Sequence, residues 1–258
     1  MNNENVKTTI VKWMHKRAIQ AGVEGFVVGV SGGIDSAVTS TLAAHTGLPV
    51  LVLNMPIKQA SDQFGRSNEH IEWLCANFDN VHGETVDLYP AYEGFARCLG
   101  DISELADANL KSRIRMCCLY SRANTHNYMV AGTGNKVEDY GVGFFTKYGD
   151  GGVDISPIAD LVKSEVYELG THMEICHSIL TATPTDGLWG DNRGDEDQIG
   201  ATYDELEWAL AFYDAKGDPS TLTDRQTEVL NIYTARHYGT KHKLEMPPVC
   251  EISEAIKG

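Results

Sequence analysis

No stretch of this 258-residue chain approaches the about 18 uninterrupted apolar residues that a membrane-spanning helix needs. The segment Met1 to Lys12 is polar and mixed in charge, not basic and then apolar as an export signal would be. Both absences predict a cytoplasmic protein with no membrane partner. Positive charge is also scarce, with 21 Lys and Arg against 36 Asp and Glu, a net charge of -15 and a pI near 4.9. Such a balance excludes a broad polyanion-binding face and predicts no nucleic-acid partner. The six cysteines, Cys75, Cys98, Cys117, Cys118, Cys176 and Cys250, form no C-x-x-C and have no histidine at zinc-finger spacing, so they are expected to be reduced and mostly buried. No internal repeat, linker or low-complexity tract interrupts the chain, which predicts a single domain over residues 1–258. Finally, no Gly-Lys dipeptide occurs anywhere, so no Walker A loop can be drawn.

What is present begins at Phe26, where an apolar run empties into Ser31-Gly32-Gly33-Ile34-Asp35-Ser36. The β-branched Val27, Val28 and Val30 suit a buried strand. Gly32 and Gly33 permit a tight turn and close approach of a ligand to the backbone. Ser36 is positioned to cap a following helix, and Asp35 stands where a carboxylate would hold Mg²⁺ against bound phosphates. Successive backbone N–H groups at a strand-to-helix junction form an anion site. The string resembles the pyrophosphate loop of the ATP pyrophosphatases, and that resemblance implies cleavage of ATP between its α and β phosphates.

Strands are expected at 26–30, 50–54, 84–88 and 128–131, alternating with helices at 4–21, 36–45, 62–78 and 103–126. The first helix carries Val6, Ile10, Met14 and Ala18 on one face and ends at Gly22 and Gly25. This order predicts an α/β fold: a doubly wound parallel sheet with helices on both faces and a helical C-terminal portion. Ligands of such sheets bind beyond the carboxyl ends of the strands, where Ser31 to Ser36, Asn54 to Gln59 and Gly132 to Glu138 all fall. Past Pro157, helices are expected at 160–170, 201–215 from near Thr202, and 223–237 with Thr223 as cap. Between them, Thr183 to Gly200 carries Asp186, Asp191, Asp195, Glu196 and Asp197 and reads either as a solvated loop or as an ordered lid. The segment from Gly143 to Pro157 reads on its own as a hairpin around a Gly-rich turn.

Taken in order, several motifs resemble the ammonia-dependent NAD synthetases over nearly the whole chain. They are Gly-x-Ser-Gly-Gly-x-Asp-Ser at 29–36, Arg113-Ile-Arg115-Met116, Gly-Thr-Gly-Asn-Lys-x-Glu at 132–138, Phe-Thr-Lys-Tyr-Gly-Asp-Gly-Gly-x-Asp at 145–154, Ile-x-Pro-Ile-x-x-Leu-x-Lys at 155–163, Pro184-Thr185 and His242-Lys243. The phosphate loop marks the superfamily, whereas the 145–154 string is much narrower. The resemblance implies an adenine nucleotide alpha-hydrolase-like fold in which Gly29, Val30, Ser31, Gly32, Gly33, Ile34, Asp35 and Ser36 hold the ATP phosphates. It implies ATP contacts from Thr133, Lys163 and Thr185, and Mg²⁺ ligation by Asp35 and Glu138, with Asp139 as fallback because Val-Glu-Asp-Tyr departs from the family's usual wording. Arg113, Lys147, Asp154, His242 and Lys243 would contact deamido-NAD, some of them from the second subunit of a homodimer.

The chemistry so implied is adenylation of the nicotinate carboxylate, followed by displacement of AMP by ammonia to give NAD. Asp35, Lys163 and Asp154 are the catalytic candidates, the last as a carboxylate that takes a proton from ammonium. The chain has no room for a fused glutaminase domain, which points to free ammonia and leaves a separate glutaminase subunit open. Two rivals stay open at this point: an ATP pyrophosphatase amidating or thiolating another acceptor, and a regulatory module that binds ATP without turning it over.

Overall fold

The computed structural model describes residues 1–189 and 193–257. Its centre is a parallel sheet of β1 (Gly25–Gly29), β2 (Val50–Asn54), β3 (Val81–Thr85) and β4 (Tyr128–Val130), in the order β3-β2-β1-β4. Because successive side chains on a strand point to opposite faces, β1 feeds two separate cores. Phe26 and Val28 pack with Met14 of α1 (Asn3–Ala21), Leu42 of α2 (Ile34–His45), Leu74 of α3 (Ser61–Asn77) and Val166 of a later helix. On the opposite face Val27 joins Leu51, Leu53 and Val130 against Ile114 and Leu119 of the long α5 (Glu104–His126), which follows α4 (Tyr89–Leu99). The doubly wound α/β arrangement is therefore the one the sequence predicts.

The elements differ from expectation in instructive places. The third strand lies three residues earlier than predicted, because Val81 to Thr85 pair with Val50 to Asn54. Val86 and Leu88, the apolar residues that suggested the later position, continue along β2 by donating to Asn54 and Pro56 carbonyls and pack into the core beneath. Helix α4 was not anticipated, for it buries none of its residues. The cysteines are free, as expected, but Cys75, Cys98, Cys117 and Cys250 are exposed and the other two half-exposed, a correction to the buried thiols predicted. Three of the exposed ones sit on outward faces of α3, α4 and α5.

The hairpin reading of 143–157 is also replaced. The segment is a series of tight turns that ends in a parallel bridge from Ile155 to Ala131, extending the sheet beside β4. Ahead of it, Lys136–Val142 winds as a wide π-helical turn. Its Val137 packs with Leu206 of α9 (Tyr203–Asp214) and Tyr233 of α10 (Asp224–Leu244), so the helical C-terminal portion fixes where Glu138 points. Both of these helices start on reciprocal capping boxes, Thr202 with Glu205 and Thr223 with Gln226, which satisfy otherwise orphaned N–H groups. Between the π-helical turn and α9 lie α6 (Lys163–His172), α7 (His177–Leu180) and α8 (Asp195–Ile199).

Candidate functional site

At the carboxyl end of β1 the backbone turns sharply through Ser31, Gly32 and Gly33 into α2. Gly32 has a φ of +85°, and a Cβ there would lie 2.7 Å from the Gln63 carbonyl oxygen of α3. Only glycine fits. Ser36 does not cap α2, since the helix begins at Ile34 and Ser36 lies in its first turn. Its Oγ instead closes the loop, accepting from Ser31 N at 3.1 Å and donating to the Gly33 carbonyl at 2.9 Å. The N-cap is Gly33, with no side chain bonded to the first turn, which leaves the positive end of α2 facing the cavity.

Two carboxylates and one ammonium meet beside this turn. Lys163 Nζ donates to Asp35 Oδ2 at 2.6 Å and to Glu138 Oε1 at 2.8 Å, and the lysine side chain is 4% exposed. Asn135 Nδ2 donates to Asp35 Oδ1 at 3.0 Å, and the Tyr203 hydroxyl donates to Glu138 at 2.5 Å. Burial lowers the affinity of Lys163 for its proton, but the two carboxylates outweigh burial and hold its pKa well above the usual lysine range. Burial pushes Glu138 up, yet the Lys163 ammonium and the Tyr203 hydroxyl overcome it and keep the group below the usual carboxylate range. Asp35 is shifted the other way, by burial and by the charge of Glu138. This split is what two carboxylates sharing one cation produce. Next to them Asp139 is pushed well up by burial and by Asp150, Glu138 and Asp35.

Asp35 and Glu138 converge on one cationic point with hard oxygen donors, a set that fits a divalent cation such as Mg²⁺. Among the described residues no group of three or more candidate ligands gathers, so phosphate oxygens and water would complete the coordination.

The cavity of about 240 Å³ above the sheet is walled by all eight residues from Gly29 to Ser36, together with Thr133, Glu138, Asp139, Lys163 and Thr185. Thr185 belongs to the acidic segment after α7, whose described part includes residues that line the cavity. Thr185 Oγ1 donates to the Arg193 carbonyl, Asp186 N to Asp195 Oδ1, and Lys111 Nζ to the Leu188 carbonyl. Asp191 lies outside the described residues.

The other sequence-predicted residues do not line this cavity. Asp154 Oδ1 accepts from the Tyr120 hydroxyl at 3.0 Å and its Oδ2 from Val130 N at 2.8 Å, so the carboxylate is engaged at the edge of β4. Arg113, Lys147, His242 and Lys243 instead gather outside it, Arg113 and His242 exposed and Lys147 and Lys243 half-buried. Arg113 Nε donates to the Lys147 carbonyl, Lys147 Nζ to the His242 carbonyl, and Lys243 Nζ to the Gly143 and Phe145 carbonyls at 2.8 Å each. Residues that the sequence reading did not assign also wall the cavity, notably Arg66, Ser112, Arg115, Asp150 and Asp195. For Arg115 a signal existed: Ser112, Arg115 and Leu119 recur at helical spacing and share a face, whereas Arg113 lies well round the helix.

The sequence profile of the NAD synthase family matches residues 6–247. This chain belongs to that family. A relative described as an NH3-dependent NAD+ synthetase from Syntrophomonas wolfei is 37% identical, with both chains covered in full. Another of the same description from Methanosarcina mazei is 37% identical over 98% of this chain and all of the relative. Among solved structures, an NMN synthetase from Francisella tularensis superposes with a TM-score of 0.85 at 33% identity, covering 98% of this chain and all of that one. An NH3-dependent NAD synthetase from Campylobacter jejuni gives 0.79 at 24% identity, over 97% of this chain and all of that one, and supports the fold. The family read from the motifs is thus the family found.

Proposed function

We propose that this chain amidates deamido-NAD with ammonia, consuming ATP and releasing NAD, AMP and pyrophosphate. The observation that carries the reading is the Lys163 ammonium held between Asp35 and Glu138 beside the uncapped start of α2. In the first step a nicotinate carboxylate oxygen bonds to the α-phosphorus of ATP while the bond from that phosphorus to the bridging oxygen breaks, and pyrophosphate leaves. In the second, ammonia bonds to the acyl carbon, AMP departs with the oxygen, and a proton is lost. Both reactants of the first step are anions, so repulsion must be offset where charge builds up. The uncapped N–H groups at the start of α2 receive the phosphates, and Lys163 supplies positive charge alongside. Mg²⁺ held by Asp35 and Glu138 would shield the departing pyrophosphate. Holding the carboxylate in line supplies much of the remainder. For Asp154, whose two oxygens are both engaged, the geometry favours a positioning role over that of proton acceptor.

The unit is proposed to work as a single cytoplasmic domain within a homodimer. Helix α4 supports the dimer: none of its residues is fully buried, and Phe95 and Leu99 are 56% and 53% exposed. Among the described residues no helix is long and apolar enough to cross a membrane.

The test mixes purified protein, ATP, Mg²⁺, deamido-NAD and ¹⁵N-ammonium, and follows labelled NAD and AMP by mass spectrometry. Equal amounts of the two products are expected, whereas ADP and orthophosphate would sink the reading. The similarity to the Francisella tularensis NMN synthetase favours a second reading in which the acceptor is the acid mononucleotide. Parallel assays on the acid mononucleotide and dinucleotide separate the two by kcat/KM.

A further inference from the structure

Three cations wall the cavity among the described residues, and two are neutralised within the chain. Lys163 is held by Asp35 and Glu138, and Arg66 pairs with Asp62 at 2.9 Å while its Nε donates to the Gly32 carbonyl. Arg115 is different. Its Nε donates to the Met55 carbonyl at 3.1 Å, and among the described residues no carboxylate lies within ion-pair distance and its enclosed Nη2 has no acceptor. Burial pushes its pKa down to about 10, against the pull of Asp150 and Asp186, and the guanidinium stays charged at neutral pH. An enclosed N–H without an acceptor is costly, so the group is poised for one that arrives with a ligand.

Its place in the fold narrows what that ligand is. Leu119, one helical turn further along α5, touches the Cβ position of Gly29, where β1 ends. Helix α5 packs on the face of the sheet opposite α2, so Arg115 looks across the crevice at the phosphate loop from the far side. The loop and the start of α2 already offer the triphosphate an anion site. A second anion must approach the α-phosphorus from across that crevice, and in the reaction proposed above that anion is a carboxylate.

We propose that Arg115 binds the carboxylate of the acceptor and so distinguishes the acid substrate from its amide product. This rests on the function proposed above and adds to it the group that recognises the reacting end. Guanidinium and carboxylate form charge-assisted hydrogen bonds about twice as strong as neutral ones. Amidation removes the negative charge, so the same arginine that draws the acid in holds the amide less tightly.

The experiment compares wild type with Arg115→Gln and Arg115→Lys, measuring KM for ATP and for deamido-NAD. Calorimetry then gives the Kd of deamido-NAD and of NAD for each protein. For Arg115→Gln the KM of deamido-NAD is expected to rise on the order of 10- to 100-fold, with the KM of ATP unchanged. The preference of wild type for acid over amide should fall toward unity, and Arg115→Lys should retain part of it. A merely structural arginine would not move that ratio. An unchanged ratio in both variants, or a rise confined to the KM of ATP, overturns the proposal. Should Arg115→Gln melt below the assay temperature, Arg115→Lys alone decides, a ratio equal to wild type with an altered KM for ATP counting against it. A wild type that never turns over deamido-NAD overturns the proposed function and this acceptor with it, whereas active wild type with a selective Arg115→Gln overturns only the role of Arg115.

Discussion

Lys163 and Asp35 are 128 residues apart in the chain and their charged atoms are 2.6 Å apart in the fold, with Glu138 at 2.8 Å from the same ammonium. The lysine is nearly inaccessible, so its removal strands two carboxylates that repel each other where water screens them poorly. Breaking a buried ion pair from one side destabilises by about 3 to 5 kcal/mol. Lys163→Met should therefore lower stability by that order and activity by about 10²-fold or more. Adding Asp35→Asn should recover part of the stability and none of the activity. Urea titrations of both single mutants and the double mutant measure the coupling, and strictly additive losses would show that the pair does not act as a unit.

Gly32→Ala tests the phosphate loop. The new methyl group would meet a backbone oxygen, that of Gln63, at 2.7 Å, on a residue whose φ of +85° already strains any side chain. Backbone cannot swing aside as a side-chain end can, so the loop must shift and with it the N–H groups aimed at phosphate. The expected result is a stability loss of about 1 to 3 kcal/mol and ATP affinity at least about 10-fold weaker. Calorimetric titration with ATP reads it. Wild-type affinity in the variant would place the triphosphate elsewhere.

Much of this was legible in the sequence because local rules and tertiary structure agree there. The apolar runs at β1 and β2 are buried on both faces, and the caps at Thr202 and Thr223 fall where Ser/Thr-x-x-Glu/Gln predicts them. Asp35, Glu138 and Lys163 were read from motifs and do meet. Where reading fell short, partners distant in the chain decide. β3 is placed by its register on β2, not by its own apolar residues. Arg113 and Arg115 look equivalent as letters, yet the helix turns one out to solvent and the other inward. The engaged state of Asp154 depends on Tyr120 and on the edge of β4, neither of which its neighbours in sequence foretell.

A pH dependence follows from His70. It is fully buried between α2 and α3, with Nε2 3.0 Å from Ser40 Oγ and its ring stacked on Trp73. Burial pushes its pKa down to about 4 from an ordinary 6.5. Between those values the unfolded chain binds a proton that the folded one refuses, so stability falls as pH drops from about 6.5 to 4 and is flat above. The loss from this one group approaches about 3 kcal/mol at the acid end. Replacing it with glutamine, His70→Gln, should lower stability at pH 7.5 but flatten the acid limb relative to wild type. Thermal melts of both proteins at pH 5 and 7.5 give the difference, and parallel curves would remove His70 from the account.

The outer face of α4 carries the last prediction. Phe95 and Leu99 lie at helical spacing with no residue of the helix buried, and Leu105 at the start of α5 is 62% exposed. An apolar face of this kind is stable in water only at the expense of solubility, unless a second copy covers it. Phe95→Asp and Leu99→Asp would each place a charge in such an interface without an assured partner, and the double variant should not form the proposed dimer at micromolar concentration. Sedimentation velocity reads the change, with wild type expected as a dimer and the double variant as a monomer. The helix contributes no residue to the cavity wall around the phosphate loop, so ATP affinity should stay within about 2-fold of wild type. Turnover should still fall if residues of the Arg113–Lys147 cluster act across the interface. A double variant that remains dimeric would assign the contact to another face of the molecule.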